Sequence, residues 1–184
     1  PVKLDAAVRG AVEALGPVRF LVAPNTMHHL SLGDWAAAYP SAKVLAPAGL
    51  REKRPDLRIG VELSDVMDVG QSPAIELLLA RGLSRLEEFV FFHRPSRTLL
   101  LTDLAFNIHE SPSWLTRTYL KLNGVYGKLG ATWVVKSMTK DKAALRAWRE
   151  RVLGWDFERV VPCHGEVLEK GGKEAMREAF AWVG

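Results

Sequence analysis

Val160-Val161-Pro162-Cys163-His164-Gly165 is an apolar run that stops on an imidazole. Two other stretches share that form. Thr98-Leu99-Leu100-Leu101-Thr102 runs into Asp103, and Val18-Arg19-Phe20-Leu21-Val22-Ala23 runs into Pro24-Asn25-Thr26-Met27-His28-His29. Each predicts a short strand with a metal-competent group at its exit. Open α/β proteins build their sites where strands end at the carboxyl edge of a sheet, so His28, His29, Asp103 and His164 point to one shared site.

Around these runs the periodicity alternates between helix and strand. Leu4, Val8, Ala11, Val12 and Leu15 share a helical face that Gly16-Pro17 terminates. Ser31-Leu32-Gly33-Asp34 has capping-box spacing and predicts a short helix carrying Trp35 to Tyr39-Pro40. His28 and His29 then fall in a turn, where both imidazoles can face the same way, as adjacent strand residues cannot. Lys43 to Ala46 predicts a strand, and Pro47 to Pro73 a loop-rich segment with brief strand-like pieces. Ala74 to Ala80, Glu88 to Phe92 and Arg97 to Leu101 predict three strands, the last two forming a hairpin around His93-Arg94-Pro95-Ser96. Leu115, Tyr119, Leu122 and Tyr126 form one helical stripe, for which core packing of the two tyrosines is expected. Leu145, Trp148, Val152 and Leu153 form another. Phe157 to Pro162 is a final strand, followed by a helix with Met176, Ala179, Phe180 and Val183 on its apolar face. The order fits a single mixed α/β layered domain over residues 1–184.

Composition agrees. The 184 residues are 48% hydrophobic and 25% charged, as in an ordinary globular domain. No apolar stretch approaches the roughly 20 residues of a membrane span, and no basic leader precedes an apolar core. One cysteine, Cys163, excludes an internal disulfide and is compatible with a reducing, cytoplasmic setting. The net charge of +4 is uneven: residues 113–151 hold nine Lys or Arg against Asp141 and Glu150, a local excess of +7. Such a segment fits an anionic small-molecule substrate or simply a solvated helical face. Nucleic-acid binding through this segment ranks third, since no recognisable reading motif accompanies the charge and the overall net charge is modest.

Three imidazoles and a carboxylate suit zinc, with iron or manganese as alternatives, and they leave a coordination position for water. A divalent ion there lowers the pKa of water to about 7, which serves hydrolysis. Taken singly, Asp103 also fits a turn cap or an arginine partner, and His164 a core histidine satisfied by backbone. Gly165 admits close backbone approach to a ligand. Strand alternation turns Cys163 away from His164 and predicts a buried structural thiol. His93 and His109 fall in turn or surface positions.

These motifs, in this order, resemble the metallo-β-lactamase fold superfamily. There a strand ends in H-x-H-x-D-H, a later apolar run ends in a bridging Asp, as in Leu99-Leu100-Leu101-Thr102-Asp103-Leu104-Ala105-Phe106, and a late strand carries P-G-H-G, similar to Pro162-Cys163-His164-Gly165. The resemblance implies an αββα sandwich whose N-terminal strand pair is absent before Pro1. It also implies damage. Aligning the first motif on His29 leaves Pro24 and Thr26 at the first two His positions and His28 at the Asp position, while Gly82-Leu83-Ser84 replaces a further His. The ligands of one metal site are therefore lost, and His29, Asp103 and His164 of the second remain, joined by His28. Asn25, His93, Ser96, Arg97 and Asn107 give a pattern similar to a domain-of-unknown-function branch of the superfamily. The implied activity is that of a mononuclear metal-dependent hydrolase, with Asp103 and Asn25 as catalytic candidates and Asn25 orienting substrate. The segment Ser113 to Ser137 would overhang the site. The alternative is a degenerate, non-catalytic member that serves as a binding or scaffold module.

Overall fold

The computed structural model describes residues 1–65 and 74–184. Within them the chain divides into two compact units, Pro1–Ser64 and Asp65–Gly184, each with its own apolar core. Residues 66–73 of the expected loop-rich segment lie outside the described residues.

The first unit holds helix α1 (Ala6–Glu13), strand β1 (Phe20–Val22), helix α2 (Leu32–Ala38), strand β2 (Lys43–Ala46), helix α3 (Ala48–Lys53) and strand β3 (Val61–Glu62). The three strands pair in parallel in the order β1-β2-β3, with Leu21 opposite Val44 and Leu45 opposite Val61. Leu21, Ala23, Leu32, Trp35, Val44 and Leu50 are among the residues of its core, against which Leu4, Val8 and Val12 of the N-terminal stripe pack partly buried. The expected helical face ends before Leu15, which is 90% exposed. The Asp5 carboxylate accepts from the Val8 amide and caps α1. Ser31 precedes α2 as expected, yet its side chain makes no cap hydrogen bond; with ψ near 0 it is already half-helical, whereas a capping residue has extended backbone. α3 was not expected: it spans six residues after Pro47 and buries only Leu50, too little to leave a periodic signal.

The second unit holds β4 (Ile75–Leu79), β5 (Phe89–His93), β6 (Thr98–Leu101), α4 (Trp114–Leu122), α5 (Trp133–Met138), α6 (Lys142–Gly154), β7 (Arg159–Pro162), α7 (Gly172–Ala179) and a closing 3-10 turn, Ala181–Val183. Its sheet has the order β4-β5-β6-β7. β5 and β6 form the expected hairpin, Phe92 opposite Leu99, and β7 then adds parallel to β6, Leu99 opposite Val160 and Leu101 opposite Pro162. Leu145, Trp148 and Val152 of α6 and Met176 and Phe180 at the end of the chain close the core over Val90, Leu99 and Val160. Each such large apolar side chain contributes about 1.5–3 kcal/mol on removal from water. The α4 stripe behaves otherwise. Leu115, Tyr119 and Leu122 are exposed and Leu120 is the buried residue of that helix, so the expected core role of Tyr119 is corrected.

This topology also corrects one premise of the shared site. β1 belongs to a different sheet from β6 and β7. Sheet pairing therefore joins the exits carrying Asp103 and His164, and does not by itself recruit His28 and His29.

Candidate metal centre

Because β6 and β7 are parallel and in register, Asp103 and His164 leave the same sheet edge. His164 Nε2 lies 3.1 Å from Asp103 Oδ1. The imidazole is flanked by Phe106, whose ring centroid is 4.5 Å away at a 50° tilt. Neither residue has the solitary role that its sequence context allowed: His164 is half-buried rather than a core histidine, and the acid sits against it.

The Asp103 turn is built by a residue that sequence reasoning missed. Glu88, fully buried, accepts from the backbone amides of Thr102 at 2.8 Å and Asp103 at 2.9 Å, with a weaker contact to Leu104 at 3.4 Å. A buried carboxylate is costly unless its oxygens are satisfied, and here the donors are the amides left over where β6 ends. The available signal was a glutamate directly abutting the apolar run Phe89-Val90-Phe91-Phe92.

After His164 the chain crosses a second backbone. The Asn107 amide donates to the His164 carbonyl at 2.9 Å, and the Glu166 amide donates to the Asn107 carbonyl at 2.7 Å. The Asn107 side chain donates to the Glu166 carbonyl at 2.8 Å and bonds His109 Nε2 at 3.0 Å. Gly165 sits between them with φ of +102°, and a Cβ there would collide with the Asn107 carbonyl. The close approach that Gly165 permits is thus to Asn107, where a ligand had been expected.

Cys163 is exposed, contrary to the buried thiol expected from alternation. β7 ends at Pro162, so Cys163 and His164 occupy a turn and their ligand atoms come within 4.8 Å of each other. Partial burial of the sulfur, then the charges of Asp103 and Glu88, push the thiol pKa up.

In the first unit, Asn25 is fully buried and its Oδ1 accepts from the amides of Met27 at 2.9 Å and His28 at 2.7 Å. This Asx turn sets the path of the His28-His29 pair. His29 is buried, and the Arg54 guanidinium lies 2.9 Å from its Nδ1 while also gripping the Asp56 carboxylate at 2.6 and 2.7 Å. Burial, followed by the charges of Lys53 and Arg54, lowers the His29 pKa. A guanidinium can only donate, so Nδ1 accepts and the ring proton resides on Nε2. His93, expected at a turn, ends β5 and bonds Ser96 Oγ at 2.6 Å; Arg97 takes φ of +50° there and pairs with Asp156.

Comparison with solved structures decides the fold. A flavoprotein from Thermotoga maritima matches 95% of the chain with a TM-score of 0.65 and 11% identity. The flavodiiron protein of Giardia intestinalis matches 95% at 0.62 and 14%. The DIM-1 metallo-β-lactamase matches 97% at 0.59 and 12%. The chain has the metallo-β-lactamase fold. It spans 46% and 44% of the two flavoproteins and 74% of the lactamase. No family model matches the sequence, and no curated protein does either. At these identities the likeness concerns the fold and carries no activity with it.

Proposed function

We propose that this metallo-β-lactamase-fold chain is a mononuclear metal-dependent hydrolase of a small, anionic substrate. The observation that carries the reading is the 3.1 Å separation of His164 Nε2 and Asp103 Oδ1 at two adjacent parallel strand exits. Two ligands each about 2.1 Å from one ion stand roughly 3.0–3.4 Å apart, so the pair fits a shared cation as placed. Asp103 and His164 would hold the ion. A divalent ion, zinc first and iron or manganese next, supplies Lewis acidity and a water nucleophile of pKa about 7. The chain's own residues do the rest: Glu88 fixes the turn that aims Asp103, and Phe106 restrains the His164 ring.

A second reading has its own support. With Arg54 on Nδ1, the His29 proton occupies Nε2, which then donates instead of offering a lone pair, and two neighbouring cations disfavour a third positive charge. This favours a binding or scaffold module that has kept the fold and lost the chemistry. Metal analysis separates the two. About one equivalent in wild type, lost in His164→Ala and in Asp103→Ala, supports the centre; near-zero metal after zinc or iron loading defeats the hydrolase. Metal-loaded protein inert toward phosphodiester, thioester and lactone substrates favours the scaffold.

A further inference from the structure

Five large apolar side chains close together in sequence stand in solvent on the second unit. Trp114, Leu115, Tyr119, Leu122 and Trp133 are 65%, 61%, 37%, 85% and 56% exposed. Leu115, Tyr119 and Leu122 follow helical spacing on the side of α4 away from Leu120, its buried residue. Tyr119, Leu122 and Trp133 line a groove of about 430 Å³ together with Asn123 and Lys136. Single exposed leucines are normal in soluble proteins, whereas a contiguous aromatic and aliphatic patch marks a binding surface.

Charge decides what binds. From Ser111 to Lys140 the sequence contains Arg117, Lys121, Lys128, Lys136 and Lys140 and not one Asp or Glu. Pairing through a two-fold axis would set these cations against their own copies, which argues against a second copy of the chain. Nucleic acid would neutralise the cations and leave Leu115 and Leu122 without an apolar partner. A lipid surface of negative charge satisfies both: tryptophan and leucine side chains enter the boundary between headgroups and acyl chains, and lysines reach the phosphates. We infer that α4 and α5 dock this chain on an anionic membrane surface. Among the described residues no helix is long and apolar enough to cross a membrane, so the contact is peripheral. The inference does not depend on the metal centre.

Vesicle co-sedimentation tests it, with phosphatidylcholine alone and phosphatidylcholine mixed with phosphatidylglycerol. The expected result is binding more than about fivefold tighter to the anionic vesicles, weakened about fivefold by Lys136→Gln, whose side chain lines the groove. Leu122→Asp abolishes binding while leaving the circular dichroism spectrum unchanged, because Leu122 is an outward side chain. Brominated acyl chains quench tryptophan fluorescence in the bound protein, and Trp114→Ser with Trp133→Ser removes that quenching. Absence of binding to either vesicle, equal binding to both, or light scattering that shows a dimer dissolved by Leu122→Asp would each overturn the inference. So would vesicle binding that Leu122→Asp leaves intact.

Discussion

Replacing Glu88 probes the link between the buried interior and the metal-competent edge. In Glu88→Ala, the two short amide contacts at 2.8 and 2.9 Å disappear and the Thr102 and Asp103 N–H groups lose their carboxylate acceptor. Each donor left unsatisfied costs about 1–3 kcal/mol, so the pair costs about 2–6 kcal/mol, before any cavity left by the missing methylenes. Glu88→Gln keeps one acceptor and turns an NH₂ toward a backbone N–H, so about half that loss is expected. For a chain of this length a loss of 3 kcal/mol lowers Tm by roughly 6–12 °C. Urea unfolding of the zinc-free protein gives the stability directly, and zinc titration of the still-folded Glu88→Gln variant reports the placement of Asp103. Both should weaken. A Glu88→Gln protein within about 0.5 kcal/mol of wild type, with unaltered zinc affinity, would refute the role assigned to this carboxylate.

Gly165→Ala forces a side chain onto the Asn107 carbonyl at a left-handed φ and should cost about 3 kcal/mol or more; a fully stable variant in denaturant titration contradicts the crossing described here. Arg54→Gln removes one of the two cations beside the buried His29 imidazole, so the His29 pKa followed by NMR titration should rise; an unchanged titration would count against the contact. Cys163 should alkylate more slowly near neutral pH than a free thiol despite its exposure, and Asp103→Asn should accelerate it by removing a charge that holds the thiol protonated. Equal rates in the two proteins would count against that account.

Except for the two-residue β3, which lies in the segment expected to be loop-rich, the strands were legible because each is an apolar run with a clear stop, and β5–β6 because four turn residues separate its two halves. α6 and α7 showed their buried faces by spacing alone. α4 did not, since periodicity identifies a stripe without saying whether anything covers it. The Asp103–His164 pair follows from two strand exits once β6 and β7 are neighbours, a pairing that no local pattern specifies. Glu88 was hidden because a lone acid beside a strand resembles any surface acid until its amide partners are known. Arg54 was hidden as well: it lies 25 residues beyond His29, and nothing local indicates that a guanidinium returns to that imidazole.

The sheet of the second unit is finished by a latecomer. β4, β5 and β6 are consecutive hairpin neighbours that can zip locally, whereas β7 must close a loop of some sixty residues to reach Leu99, as the 61-residue separation of Asp103 and His164 records. Distant pairings of this kind slow folding, because chain entropy is lost before any contact repays it. During synthesis, then, Asp103 emerges and its hairpin can form well before His164 exists, and the candidate metal centre is assembled only when the final strand docks. Competence to bind an ion should therefore report completed folding of this unit, and refolding followed by metal uptake should lag behind refolding followed by the appearance of strand structure.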